Sequence, residues 1–113
     1  MSAVVYWRNS FESALEEARK EKRPLVLELY MEGCPHCQQL ARETHTDQAV
    51  AAALNTRFIP VRQEGRSHMD LVRKFNVPGA PTTIILSPDG TELHRFAGFL
   101  PPEPYLKELE KFG

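Results

Sequence analysis

Long apolar runs are missing from this sequence. None approaches the roughly 20 residues that a membrane span requires, and the longest, Leu25 to Met31, is broken by Glu28, so no membrane insertion is expected. A charge excess is missing too, since 14 Lys and Arg against 15 Asp and Glu leave a formal net charge of −1. A dedicated nucleic-acid binder carries a basic excess, so nucleic acid is not an expected partner. Cysteine is scarce, with two residues in 113. That excludes a scaffold stapled by several disulfides, and one bridge between positions three apart closes too small a loop to hold a fold together. Residues 1–10 show neither the basic leader nor the apolar stretch of a secretory signal. As it stands the sequence reads as cytoplasmic, and as periplasmic if a signal peptide has been removed. Internal repeats and low-complexity tracts are also lacking. What remains is ordinary globular material, 42% apolar and 26% charged, which argues against disorder, collagen and coiled coil. A chain of 113 residues suffices for one domain with a real core, spanning 1–113, and is too short for two.

The patterning alternates helix and strand. Phe11, Ala14, Leu15 and Ala18 fall on one helical stripe between Ser10 and Lys22, stopped by Pro24. Upstream, Val4 to Trp7 reads as a short edge strand. Leu25 to Met31 is apolar on both pleat faces, as in a central strand covered on both sides. A helix follows from Pro35 to about Glu43, with a break near Thr44-His45-Thr46, and Thr46 or Asp47 caps a continuation through Leu54. Arg57 to Gln63 is a second strand, with Pro60 as a caution. Ser67 is expected to cap a helix presenting His68, Leu71, Val72 and Phe75 on one face. Thr82–Leu86 and Thr91–Ala97 form a hairpin about Ser87-Pro88-Asp89-Gly90, and Tyr105, Leu106, Leu109 and Phe112 mark a closing helix. Strands separated by helices pair in parallel while the hairpin pairs antiparallel, so an α/β fold with a mixed sheet is expected.

The two cysteines sit three apart in Cys34-Pro35-His36-Cys37. This spacing also serves as half of a zinc site, so its context matters. Cys34 falls just after a buried strand and at a helix start, where unpaired N–H groups and the positive end of the dipole favour an anion. A thiolate is that anion. Cys34 is therefore the expected nucleophile, and Cys37, one turn into the helix, the resolving thiol. His36 between them, as an imidazolium, adds a second cation favouring the thiolate and hence a more oxidising disulfide; the other reading is a solvent-facing histidine with no role. His45, His68 and His94 are further candidates for a metal site with the cysteines, but one histidine adjacent to the pair makes poor tetrahedral geometry, and no metal is assigned. Glu28, flanked on its pleat face by Val26 and Tyr30, is expected to be a half-buried carboxyl with its pKa raised by desolvation.

The run from Leu25 through Cys34-Pro35-His36-Cys37, followed 47 positions after Cys34 by Pro81 in Gly79-Ala80-Pro81-Thr82, resembles the thioredoxin superfamily. The likeness covers nearly the whole chain. It is strongest to small thioredoxin-like proteins related to the C-terminal domain of the bacterial transmembrane disulfide reductant carrier, while the Pro-His dipeptide is similar to that of the periplasmic disulfide-forming oxidoreductase. The resemblance implies a thioredoxin fold, a central mixed sheet of four to five strands flanked by about four helices. It implies a protein thiol:disulfide oxidoreductase that works through a mixed disulfide, with no cofactor, acting as a monomer on protein or peptide disulfides and dithiols alongside a redox partner protein. Pro81 is then a cis proline against the Cys34 sulfur, and the backbone of Ala80 pairs with an extended substrate. Glu28, six positions before Cys34, takes the place of the acid that deprotonates the resolving thiol, with Arg62 as its basic partner. Gly33 replaces the usual aromatic, which opens the surface beside Cys34, and Pro35 joins it in lining the substrate side. A binding protein on the same fold, carrying a metal or persulfide or holding substrates as a chaperone, is the alternative.

Overall fold

The computed structural model describes residues 3–113. Ser10 opens the first helix, its hydroxyl accepting the Ser13 N–H at 3.3 Å, and α1 runs Phe11–Glu21 with Phe11, Ala14 and Ala18 turned inward. It stops at Lys22, whose φ of 56° places it in the left-handed region. Strand β1 (Leu25–Tyr30) follows, then α2 (Pro35–Gln39), which opens into a π-helical turn over Leu40–Thr44 closed by the His45 N–H on the Leu40 carbonyl at 3.0 Å. The chain breaks there and restarts at Asp47, whose carboxylate accepts the Val50 N–H at 3.0 Å to begin α3 (Gln48–Arg57). Asp47, not Thr46, is thus the cap. An Asp47→Ala variant is expected to lose about 1 kcal/mol in urea denaturation, and Asp47→Asn to lose almost nothing, because asparagine caps equally well.

Strand β2 (Ile59–Glu64), α4 (Met69–Lys74), β3 (Thr82–Leu86), β4 (Glu92–Ala97) and α5 (Pro102–Glu110) complete the chain. The sheet order is β2-β1-β3-β4, with β1 parallel to β2 and the other pairs antiparallel. This is the expected mixed sheet, with four strands and five α-helices among the described residues. Alternation along β1 divides the core. Leu25, Leu27 and Leu29 pack against α1 and α4, while Val26 faces Leu40, Leu54, Phe58 and Tyr105 on the other side. Each such aliphatic side chain, fully withdrawn from water, contributes about 1.5–3 kcal/mol before the entropy of ordering it.

Two local expectations are corrected. Val4 to Trp7 forms no strand; only Arg8 bridges to Val61, exchanging hydrogen bonds with the Pro60 carbonyl and the Arg62 N–H. Continuing that ladder back to Tyr6 requires an N–H from residue 60, and proline has none. The Tyr6 N–H is instead taken by the Asn55 side chain at 2.8 Å. Ser67 does not cap α4 either. Its N–H is held by the Glu64 carboxylate at 3.0 Å in a 3₁₀ turn over Gly65–Ser67, and α4 begins one residue later, after His68.

Candidate active site

The site starts where β1 ends. Gly33 has a φ of +76° and a Cβ there would meet nothing within 4 Å, so its glycine answers a backbone requirement and not crowding. The turn delivers Cys34 to the N-cap of α2, with Pro35 at the first helical position where its missing N–H costs nothing. Cys34 and Cys37 are joined as a disulfide with Cα atoms 5.2 Å apart, and the Cys34 sulfur also accepts the Cys37 N–H at 3.2 Å. Cys34 is partly exposed and Cys37 is 1% exposed. An incoming sulfur can therefore reach the first and not the second. His36 is exposed in the same helical turn.

Across from the disulfide, the Ala80–Pro81 peptide is cis, as the resemblance implies, and Pro81 is buried. The Ala80 carbonyl oxygen lies 3.7 Å from the Cys34 sulfur. This loop is tied down on both sides. The Pro81 carbonyl accepts the Gly98 N–H at 2.8 Å, and the Thr82 hydroxyl donates to the Gly79 carbonyl at 2.6 Å. Beside it, Met31, Met69, Val72, Val77 and Ala80 line an apolar cleft of about 210 Å³.

Beneath the helix lies a polar cluster. Glu28 projects from β1 opposite Arg62 of β2 and is wholly buried, where the sequence suggested half burial. Its Oε2 accepts from Arg62 Nε at 2.7 Å, and its Oε1 lies 2.8 Å from His45 Nε2. The histidine contact is a close approach without good hydrogen-bond alignment, and neither atom has another hydrogen-bond partner among the described residues. Burial pushes the Glu28 carboxyl up, but the neighbouring His45 and Arg62 outweigh it and hold the group below its ordinary value. The expected upward shift is thus reversed, because desolvation of a carboxylate is offset when cations share its site. The Arg62 guanidinium stacks on the Tyr30 ring at 3.8 Å. His45 stands edge-on to Trp7 at 4.9 Å and to Tyr105 at 6.1 Å. The Tyr105 phenol, buried and facing both Thr83 and the Glu28 charge, is held well above its usual range, so it is neutral. Arg62 and Cys37 share the lining of a second cleft, of about 280 Å³.

The remaining histidines lie elsewhere. His68 Nδ1 is 2.9 Å from the Glu64 carbonyl, and His94 Nε2 is 2.8 Å from Glu108 with its ring stacked on Phe112. Among the described residues no group of three or more His, Cys, Asp or Glu side chains is arranged to hold a metal ion. Nor, among them, is any helix long and apolar enough to cross a membrane. The sequence marks His45 as a candidate metal ligand and Tyr105 as part of the closing helix; their proximity to Glu28 crosses three elements and leaves no local signal.

The family profile described as a thioredoxin-like domain matches residues 11–113. The chain belongs to this thioredoxin-like family. Among curated proteins it is 31% identical over 98 residues to the thiol:disulfide interchange protein DsbD of Yersinia pestis, covering 82% of this chain and 16% of that protein. Against DsbD of Ralstonia nicotianae it is 30% identical over 116 residues, covering 96% and 19%. The chain thus spans less than a fifth of the length of these relatives. Its fold superimposes on a thioredoxin from Thermus thermophilus with a TM-score of 0.85 at 29% identity, covering 96% of this chain and 87% of that one. With the oxidised DsbD C-terminal domain of Neisseria meningitidis the TM-score is 0.80 at 21% identity, covering 98% and 100%. The DsbD relatives are thiol:disulfide interchange proteins by name, and here Cys34 and Cys37 stand three apart and are joined as a disulfide.

Proposed function

We propose that this thioredoxin-like protein is a protein thiol:disulfide oxidoreductase in which Cys34 attacks and Cys37 resolves. The observation that carries the reading is the pairing of an accessible sulfur at a helix N-terminus with a buried one a turn below it. In the reduced protein the Cys34 thiolate is favoured by the Cys37 N–H and by the free N–H groups of the first helical turn. It attacks a substrate disulfide, forms a mixed disulfide and releases the first substrate thiolate. The Cys37 sulfur then attacks Cys34, closing the intramolecular disulfide and releasing the second. Because a proline offers no N–H at position 81, an extended substrate pairs with the backbone of Ala80, and an apolar side chain beside its cysteine fits the cleft lined by Met31 and Met69. Gly33 and Pro35 form the rim next to the sulfur. Glu28 supplies an ionised carboxylate on the side of the resolving thiol. His36 adds positive charge near the thiolate when protonated. The partners are protein or peptide disulfides and a redox protein that restores the starting state.

Equilibration with glutathione buffers, read by mass after alkylation, tests this reading. The expected potential is more oxidising than the about −270 mV of thioredoxin, and the Cys34 thiolate absorbance is expected to titrate below the free-thiol value of about 8.5. A protein whose thiol titrates near 8.5 and forms no mixed disulfide overturns it.

A further inference from the structure

Resolution requires that Cys37 lose a proton, yet its side chain is 1% exposed and bulk water does not reach it freely. Cys37 lines a cleft with Arg62, and the Arg62 Nε donates to Glu28 Oε2 at 2.7 Å. The other oxygen lies 2.8 Å from His45 Nε2 and has no further hydrogen-bond partner among the described residues. His45 in turn lines an adjoining cleft of about 270 Å³ with Trp7 and Thr46, which shares Ala41 and Arg62 with the first and does not have Cys37 in its lining. We propose that His45 is the proton exit of the resolving half-reaction, taking through Glu28 the proton that Cys37 gives up. The proposal rests on the exchange reading above. His45 touches neither sulfur nor substrate, so it is a positioning residue that acts through Glu28.

The atoms balance without an outside reagent. The Cys37 thiol proton passes to the Glu28 carboxylate by way of water. The Cys37 sulfur forms a bond to Cys34, the bond from Cys34 to the substrate sulfur breaks, and the electron pair leaves with the substrate as thiolate. The proton moves from Glu28 Oε1 to a neutral His45 Nε2 and out to water, from which the substrate thiolate is reprotonated. An imidazole is a stronger base than a carboxylate, so the onward step runs downhill. Only an imidazole with an open nitrogen can accept the proton, so resolution is expected to quicken as pH rises. The groups facing this relay are Glu28 and Arg62 from the sheet and Tyr105 from α5; the N-terminal segment contributes Trp7, which does not titrate.

The test mixes the full reduced chain with 5,5′-dithiobis(2-nitrobenzoate) in a stopped-flow instrument. Attack by Cys34 gives a phase that scales with reagent concentration, and release by Cys37 gives a second that does not. His45→Ala is expected to slow the second phase by about tenfold or more, to flatten its pH dependence and to leave the first unchanged. Added imidazole, which fits the space the side chain vacates, is expected to restore it. His45→Gln fills that space without carrying a proton, so it is expected to be slow and not rescued, and it carries the test through its pH profile if the alanine variant does not fold. A second phase that keeps wild-type rate and pH dependence in either folded variant overturns the relay, as does slowing in His45→Ala that imidazole leaves unchanged. Wild type lacking two-phase release overturns the exchange reading and the relay with it.

Discussion

Serine at position 34 is expected to lower disulfide exchange by at least ~10³-fold, because a hydroxyl at a helix start remains protonated where a thiol ionises. Serine at position 37 gives a different result. The nucleophile survives, the resolving sulfur does not, and a mixed disulfide between Cys34 and the substrate accumulates to near stoichiometry. Mass spectrometry after acid quenching distinguishes the two. Partly exposed Cys34 and 1% exposed Cys37 set this asymmetry, since only the outer sulfur lies where a second chain can approach in line. Trapping by the Cys34→Ser variant in place of Cys37→Ser reverses the assignment.

The largest expected effect on stability belongs to Glu28→Ala. Removing one partner of a buried ion cluster leaves the others unpaired, which costs about 3–5 kcal/mol when all are fully enclosed. Arg62 keeps 24% of its side chain exposed and can turn toward water, so the expected loss is about 3 kcal/mol, at the lower end. Thermal unfolding is expected to fall by roughly 10–20 °C. The sign of the pH effect follows from the depressed carboxyl. Its stabilisation is fully present above the unfolded value near 4.5, and it disappears as pH falls through the lower folded value. The gap between wild type and Glu28→Ala in urea denaturation is therefore expected to be constant near neutrality and to close in acid below that value. A gap that widens in acid contradicts the direction of the shift.

Much of the site was readable before any coordinates. The apolar stripe of α1, the doubly covered run of β1 and the β-branched β3 each follow from near neighbours, and the observed ranges match to within a residue or two. The cysteine pair and Pro81 were legible for a similar reason, as spacing and residue type mark a helix start and a loop without an N–H. The N-terminal segment was misread because its pairing depends on what position 60 of another strand can donate. The helix after Ser67 was misplaced because a carboxylate three residues upstream took the N–H first.

Glu28 marks the boundary most sharply. Its half-burial is legible from its apolar neighbours in β1, a property of six consecutive residues. The state of its carboxyl did not follow, because the charges that set it come from Arg62, 34 positions on, and from His45 at the end of a π-helical turn. Desolvation is a consequence of local pattern and acts on any buried acid in the same direction. Coulombic compensation falls off over a few ångströms, so it exists only once distant parts of the chain have been packed together, and here it reverses the sign.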